Sequence, residues 1–280
     1  MPTNAAPSRA IVLGGGGPVG ASWTAGLLHG LTAAGLRSDG CDVVLGTSAG
    51  ALVGSWLTMR PEGLSSLPER LRARAAWHAK NAEYGYGDRQ LMLRLIASPP
   101  QDEEARREIG QAAVEAITPI DVDGANALWH DTLPDASWPD ALRIASVNAN
   151  TGRGQAWSTA DDVPLAVAVA SSTAAPGVAP PVSWNGSVWV DGGVRSSTNA
   201  DLLLEMVGPG TVLVAAPMRS DALDREVAQL GERGFTVRTI TADPFYDSFR
   251  DLLDPNFIDI AAAAGVEQAT RVAADVLTSW

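Results

Sequence analysis

Ser48 stands in GTSAG, residues 46–50, with a glycine two positions away on either side. A serine hydroxyl becomes a nucleophile only when it is exposed, when a neighbour takes its proton, and when N–H donors face the oxyanion it creates. The G-x-S-x-G spacing meets the first need, because Gly46 and Gly50 permit a tight turn between the apolar run Val43-Val44-Leu45 and the small-residue, helix-like stretch from Ala49. A plain glycine-flanked turn has the same spacing, so the donors and the base decide between the two readings.

The donors are sought in LGGGGPVG, residues 13–20. Four consecutive glycines lose much backbone entropy on folding, and they suit a backbone that approaches another group closely or aims several N–H groups one way. Pro18 has no N–H, which leaves Gly15, Gly16 and Gly17 as candidate oxyanion donors. The same stretch satisfies G-x-G-x-x-G through Gly15, Gly17 and Gly20, which admits a dinucleotide-binding oxidoreductase as a rival. That rival needs an acidic residue at the end of the second strand to hold a ribose. Asp39 and Asp42 precede the Val43–Leu45 run instead, and the run ends in GTSAG. A P-loop is excluded because Ala21-Ser22 stands where its Lys and Ser/Thr belong.

For the base, the α/β-hydrolase order is serine, acid, histidine, yet His29, His78 and His130 all precede residue 131. Ser48-Asp121-His130 satisfies the order but crowds acid and base into a proline-broken helical region. Asp191 is the carboxylate candidate, the first residue of DGG after a hairpin strand. An aspartate with an ordinary pKa of about 3.9 is a weak base in water, so it would have to act through proximity and exclusion of water. Its bland reading is a turn-forming Asp-Gly.

The elements that must position these residues follow from apolar patterning. Ala10–Leu13, Val43–Leu45, Ile144–Val147, Thr211–Ala215 and Phe235–Ile240 read as buried strands. Between them, Trp23, Leu27 and Leu31 share one helical face, as do Leu52 with Trp56 and Val53 with Leu57. Strand-helix alternation predicts an α/β fold, a mainly parallel sheet covered by helices. In VSWNGSVWV, Asn185-Gly186 between two β-prone runs predicts a hairpin whose second strand delivers Asp191.

Taken together and in this order, LGGGGPVG, GTSAGA and VDGGV resemble the patatin-like phospholipase family, and the approach ASSTAAPGVAPPVSWNGSVWVDGG is similar to the family's approach to its aspartate. The similarity covers roughly residues 9–58 and 142–205. It implies a serine acyl hydrolase working by a Ser-Asp dyad without histidine: Ser48 as nucleophile, Asp191 as base, and the amides of Gly15, Gly16 and Gly17 as oxyanion hole. The implied substrate is a lipid or acyl ester, whether phospholipid, lysophospholipid or neutral ester, with no cofactor and no metal. Val19 stands where family members often carry Arg or Lys. A non-catalytic lipid- or protein-binding module on the same fold is the alternative.

With 280 residues and 46% hydrophobic content the chain suits one domain over 1–280, with residues 60–140 as a helical cap or lid. A formal net charge of −12 opposes nucleic-acid binding and long-range attraction to anionic membranes. The lack of a spanning apolar run and of a signal-like start in MPTNAAPSRA leads to the expectation of a soluble, cytoplasmic protein. Residues 69–94 bring six basic residues against three acidic ones, with Trp77, Tyr84 and Tyr86 interleaved and Gly85 and Gly87 for mobility. That run fits a solvated amphipathic helix and loop, or a lid making transient contact with a membrane surface. Cys41, the sole cysteine, reads as a buried inert thiol.

Overall fold

The computed structural model describes residues 7–80 and 89–280. Among these, the strands β1 (Ser8–Leu13), β2 (Val43–Thr47), β3 (Leu142–Asn148), β4 (Gly154–Trp157), β5 (Val182–Trp184), β6 (Ser187–Asp191), β7 (Gly210–Ala216) and β8 (Thr236–Thr241) form one sheet. The neighbours β3, β2, β1, β7 and β8 run parallel in that order, and β4, β5 and β6 pair antiparallel. All five strands expected from apolar runs are present. At the hairpin, Asn185 and Gly186 adopt φ 48° and 73°, the two positive values that a tight two-residue turn with the right twist requires.

The register of β3 organises the site. Its residues 142–145 pair with β2, Ser146, Val147 and Asn148 pair with β6, and residues 144–147 pair with β4. A strand has only two edges, and β4 overlaps both of the other partners. Therefore β2 and β6 share the remaining edge and meet end to end, with Thr47 opposite Ala145 and Asp191 opposite Ser146.

The helices are α1 (Gly17–Ala33), α2 (Ala49–Met59), α3 (Leu67–Lys80), α4 (Arg89–Ala97), α5 (Glu103–Ala116), α6 (Val122–Trp129), α7 (Leu165–Ser172), α8 (Asp221–Glu232) and α9 (Ile258–Ser279). Alternation along the strands divides the core. Ile11, Leu13 and Val44 join α1, α2 and α9 on one face, while Ala10, Val12, Val43 and Leu45 meet Leu223 and Leu230 of α8 on the other. Helices α1 and α9 touch backbone to backbone: a Cβ on Gly26 would lie 2.3 Å from Ala262 O, and one on Gly265 2.2 Å from Trp23 O.

Within 60–140 the described residues form a 3-10 turn at Pro61–Ser66 and α3 to α6, joined by loops at 98–102, 117–121 and 130–140. Trp77 is 44% exposed on α3; Tyr84, Gly85, Tyr86 and Gly87 lie outside the described residues. No helix among the described residues is long and apolar enough to cross a membrane. Cys41 is buried, which pushes its thiol up to about 12, with Asp42 adding to the shift.

Candidate active site

Ser48 is the single residue between β2 and α2, at φ 54°, ψ −118°. A non-glycine residue held at positive φ is strained, and the chain accepts it because both neighbouring elements over-determine the turn. A Cβ on Gly50 would stand 2.0 Å from Leu13 O, and one on Gly46 would stand 2.4 Å from Gly50 O. Glycine at these two places lets α2 lie directly on the strand ends. The Ser48 N–H donates to Ser172 Oγ at 2.9 Å, and the Ser172 hydroxyl in turn donates to Ala145 O at 2.6 Å. At the turn the β2–β3 ladder therefore continues through a side chain from α7.

Asp191 closes β6, with its N–H donating to Ala174 O at 3.1 Å. Ser48 Oγ donates to Asp191 Oδ2 at 2.7 Å, and the Gly193 N–H donates to Oδ1 at 2.7 Å. The carboxyl is only 4% exposed. Burial pushes it up to about 7, against the smaller downward pull of the Gly193 N–H and the Ser48 hydroxyl. No cation among the described residues pairs with it, so the two hydrogen bonds offset only part of the desolvation.

A further residue, outside the sequence expectation, ties the two halves together. Asn199 Nδ2 donates to Ser196 O at 2.7 Å, to Gly192 O at 3.1 Å and to Thr47 Oγ1 at 3.2 Å. It thus spans the residue after Asp191 and the residue before Ser48. Asn199 adopts φ 52°, a backbone state that asparagine tolerates better than most residues. Beneath it, Glu226 Oε2 accepts from Thr198 Oγ1 at 2.6 Å and from the Ala200 N–H at 2.9 Å, and burial raises its carboxyl.

The glycine loop corrects one expectation. The Gly15 N–H donates to Ser197 O at 2.8 Å, extending the strand-like pairing that Gly14 N–H makes with Ala215 O. It is therefore committed and not available as an oxyanion donor. What Gly15 supplies is room, since a Cβ there would come 3.2 Å from Ser48 Cβ. Among the described residues, the N–H groups of Gly16 and Gly17 have no acceptor, and both residues line the same cavity as Ser48. Val19 is fully buried in the core cluster around α1, so a basic residue at that position would enter the apolar interior rather than the cavity.

The cavity has a volume of about 700 Å³ and is bounded by the glycine loop, Ser48, Asp191, apolar side chains of α3 and α4 such as Leu71, Met92 and Leu95, and Trp129 of α6. The described histidine side chains are elsewhere: His29 is exposed, and His130 Nδ1 contacts Asp131 Oδ1 at 2.8 Å in solvent. Asp121, the acid of the alternative triad, caps α6 by accepting the Gly124 N–H at 3.0 Å. For the dinucleotide reading, Asp42 accepts the Arg9 N–H at 2.8 Å near the start of β1, the opposite end of the sheet from the glycine loop. No cluster of metal-ligating side chains occurs among the described residues.

Among solved structures, the chain is similar to the type III effector protein ExoU at 18% identity and a TM-score of 0.34, covering 94% of this chain and 53% of that one. It is also similar to VipD from Legionella pneumophila at 14% identity and a TM-score of 0.43, covering 96% of this chain and 67% of that one. The chain thus spans about half the length of the first and two thirds of the second. No curated protein matches the sequence. The family model described as patatin-like phospholipase matches residues 11–204, a stretch that contains the glycine loop, Ser48, Asp191 and Asn199. On that match the chain belongs to the patatin-like phospholipase family.

Proposed function

We propose that this chain hydrolyses the ester bonds of lipids, with Ser48 as nucleophile and Asp191 as general base, and without a histidine. The observation that carries the reading is the 2.7 Å hydrogen bond from Ser48 Oγ to Asp191 Oδ2 on the wall of an apolar cavity. A carboxyl at about 7 is half ionised at neutral pH, and it is a far better proton acceptor there than an ordinary aspartate.

In the proposed cycle, Ser48 Oγ attacks the ester carbonyl while its proton passes to Asp191 Oδ2. The Gly16 and Gly17 N–H groups hold the oxyanion that forms. The tetrahedral intermediate collapses, the alcohol leaves with the proton from Asp191, and the acyl group stays on Ser48. Asp191 then takes a proton from water, the resulting hydroxide attacks the acyl-serine, and Ser48 recovers its proton as the fatty acid departs. Ester and water are consumed, and acid and alcohol are released. Apolar side chains from α3 and α4 exclude water from the acyl chain and leave the carboxylate its raised affinity for protons.

The test is turnover of p-nitrophenyl butyrate and of phospholipid vesicles, with fluorophosphonate labelling, in wild type and Ser48→Ala. Hydrolysis and labelling in the wild type alone are expected. Labelling that survives in Ser48→Ala would remove Ser48 from the mechanism, and absence of turnover with every ester would favour a binding module on the same fold.

A further inference from the structure

The cavity has an unusual charge for this chain. The whole protein carries 32 Asp and Glu against 20 Lys and Arg, yet among the described residues the charged side chains lining the cavity are Arg74, Arg195 and Arg219 against one carboxylate, Asp191. Two of the three cations are already matched. Arg195 Nη1 donates to Asn199 Oδ1 and Asp201 Oδ1, both at 2.9 Å, and Arg219 Nη2 lies 3.4 Å from Asp224 Oδ1 in solvent.

Arg74 is different. It sits on α3 with its guanidinium 3.9 Å from the centre of the Trp129 ring, and Nη1 donates to Leu128 O. Both contacts come from α6, and neither supplies negative charge. No carboxylate among the described residues pairs with it, and burial pulls its pKa down to about 10. A guanidinium has five N–H donors in a fixed plane, so most of this one's hydrogen-bonding capacity is unspent. The indole N–H of Trp129, buried behind this wall, has no acceptor among the described residues. The contact with the Trp129 ring and the hydrogen bond to Leu128 O hold the guanidinium in place in advance, and a guanidinium fork is the group that recognises a two-oxygen anion.

We propose that Arg74 anchors the negatively charged group of an amphiphile whose hydrocarbon chain lies along the apolar wall of this cavity. The anion is a phosphate ester or a carboxylate, which present the same pair of oxygens to the fork. The proposal rests on the lipid-hydrolase reading for the kind of ligand, but its test requires no turnover. Arg74 is a specificity-determining residue here, separate from the reacting groups.

The experiment is calorimetric titration of the full chain with hexadecyl phosphate, palmitate and hexadecanol, each below its aggregation limit. Wild type binds one or both anions at least about 10-fold more tightly than the alcohol, as expected for one charge-assisted contact. Arg74→Met, which keeps an unbranched apolar stem over Trp129, loses that preference while hexadecanol affinity stays the same; Arg74→Lys retains part of it. Hexadecyl phosphate ahead of palmitate assigns the contact to a phosphate head group, and the reverse assigns it to a fatty-acid carboxylate. A second measurement needs no variant: saturating hexadecyl phosphate slows phenylglyoxal modification of Arg74, read by peptide mass spectrometry. Equal affinity of wild type for alcohol and anions, survival of the preference in Arg74→Met, or unprotected Arg74 would each overturn the proposal. Failure of the hydrolase reading leaves the binding preference in place, so the two outcomes are separable.

Discussion

Thr47 and Asp191 are laid end to end along one edge of β3, opposite the consecutive residues Ala145 and Ser146. Ser48, one residue past the end of β2, thereby meets a carboxylate 143 positions away in sequence. The contact is a property of strand register: two chain segments running toward each other on the same neighbour must place their last side chains together.

The strain at Ser48 can be measured separately from its chemistry. Ser48→Ala and Ser48→Gly both lose the hydroxyl, but only alanine keeps a Cβ at φ 54°. We expect both variants to be inactive and the glycine variant to be the more stable by about 1 kcal/mol, the relief of a strained positive-φ backbone less the entropy of glycine in the unfolded chain. Urea unfolding of the pair reads the difference directly. Equal midpoints would mean that the turn stores no strain at this residue.

Asp191 should govern both activity and stability against pH. Below about 7 the carboxyl holds its proton, so kcat/KM should rise about tenfold per pH unit and level off above that point. Stability runs the other way. The unfolded chain releases this proton near 3.8 and the folded chain near 7, so between these values the native state binds more protons and loses stability as pH rises. Asp191→Asn removes the effect. It should lose about 10²–10⁴-fold in rate, and at pH 8 be more stable than wild type by on the order of a few kcal/mol, with the gap narrowing toward pH 4. A difference in stability that does not change with pH would show that Asp191 titrates normally.

Asn199 acts on the site through position alone. Asn199→Gly suits the φ of 52° but deletes the amide that bridges Thr47 and Gly192. With the two strand ends released, kcat should fall about 100-fold, as for a reacting group displaced by about an ångström, with KM little altered. Fluorophosphonate labelling of Ser48 should slow in parallel. A variant that loses stability but labels at the wild-type rate would limit Asn199 to a structural role.

In the glycine loop, Gly17 has φ 62°, and a Cβ there would lie 2.7 Å from Leu252 O. Gly17→Ala must move the loop, and it should lower kcat by about 10²–10³-fold, the cost of losing an oxyanion donor. Gly15→Ala instead places a methyl group 3.2 Å from Ser48 Cβ without touching a free donor. Steady-state kinetics of the two variants on one ester should therefore separate a defect in charge stabilisation from crowding of the nucleophile.

Much of this arrangement was legible in the sequence because its signals are local. Gly46 and Gly50 mark the turn at Ser48, Asn185-Gly186 marks the hairpin before Asp191, and the parallel strands are short apolar runs. What escaped depends on partners distant in sequence. Whether Gly15 or its neighbours keep free amides is set by Ser197 O, and the roles of Ser172 and Asn199 exist only once three segments meet. Strand β4 is four residues long and mostly half-exposed, and the run of α7, LAVAVASS, alternates like a strand although it folds as a helix. Val19 read as a missing charge at the loop, but its place in the helix turns it into the core.

The backbone contact between α1 and α9 bears on how little of this chain could fold alone. The family match ends at residue 204, after the glycine loop, Ser48, Asp191 and Asn199 but before β7, α8 and α9, and so before Arg219 on the cavity wall and Glu226 beneath Asn199. Without β7, β1 would become an unpaired edge, and without α9, the apolar face of α1 around Trp23 and Leu27 would lie open to water. The stretch recognisable by descent is therefore smaller than the autonomous folding unit. A fragment cut at its boundary should carry Ser48, Asp191 and the glycine loop, lack one wall of the cavity, and aggregate before it could use them.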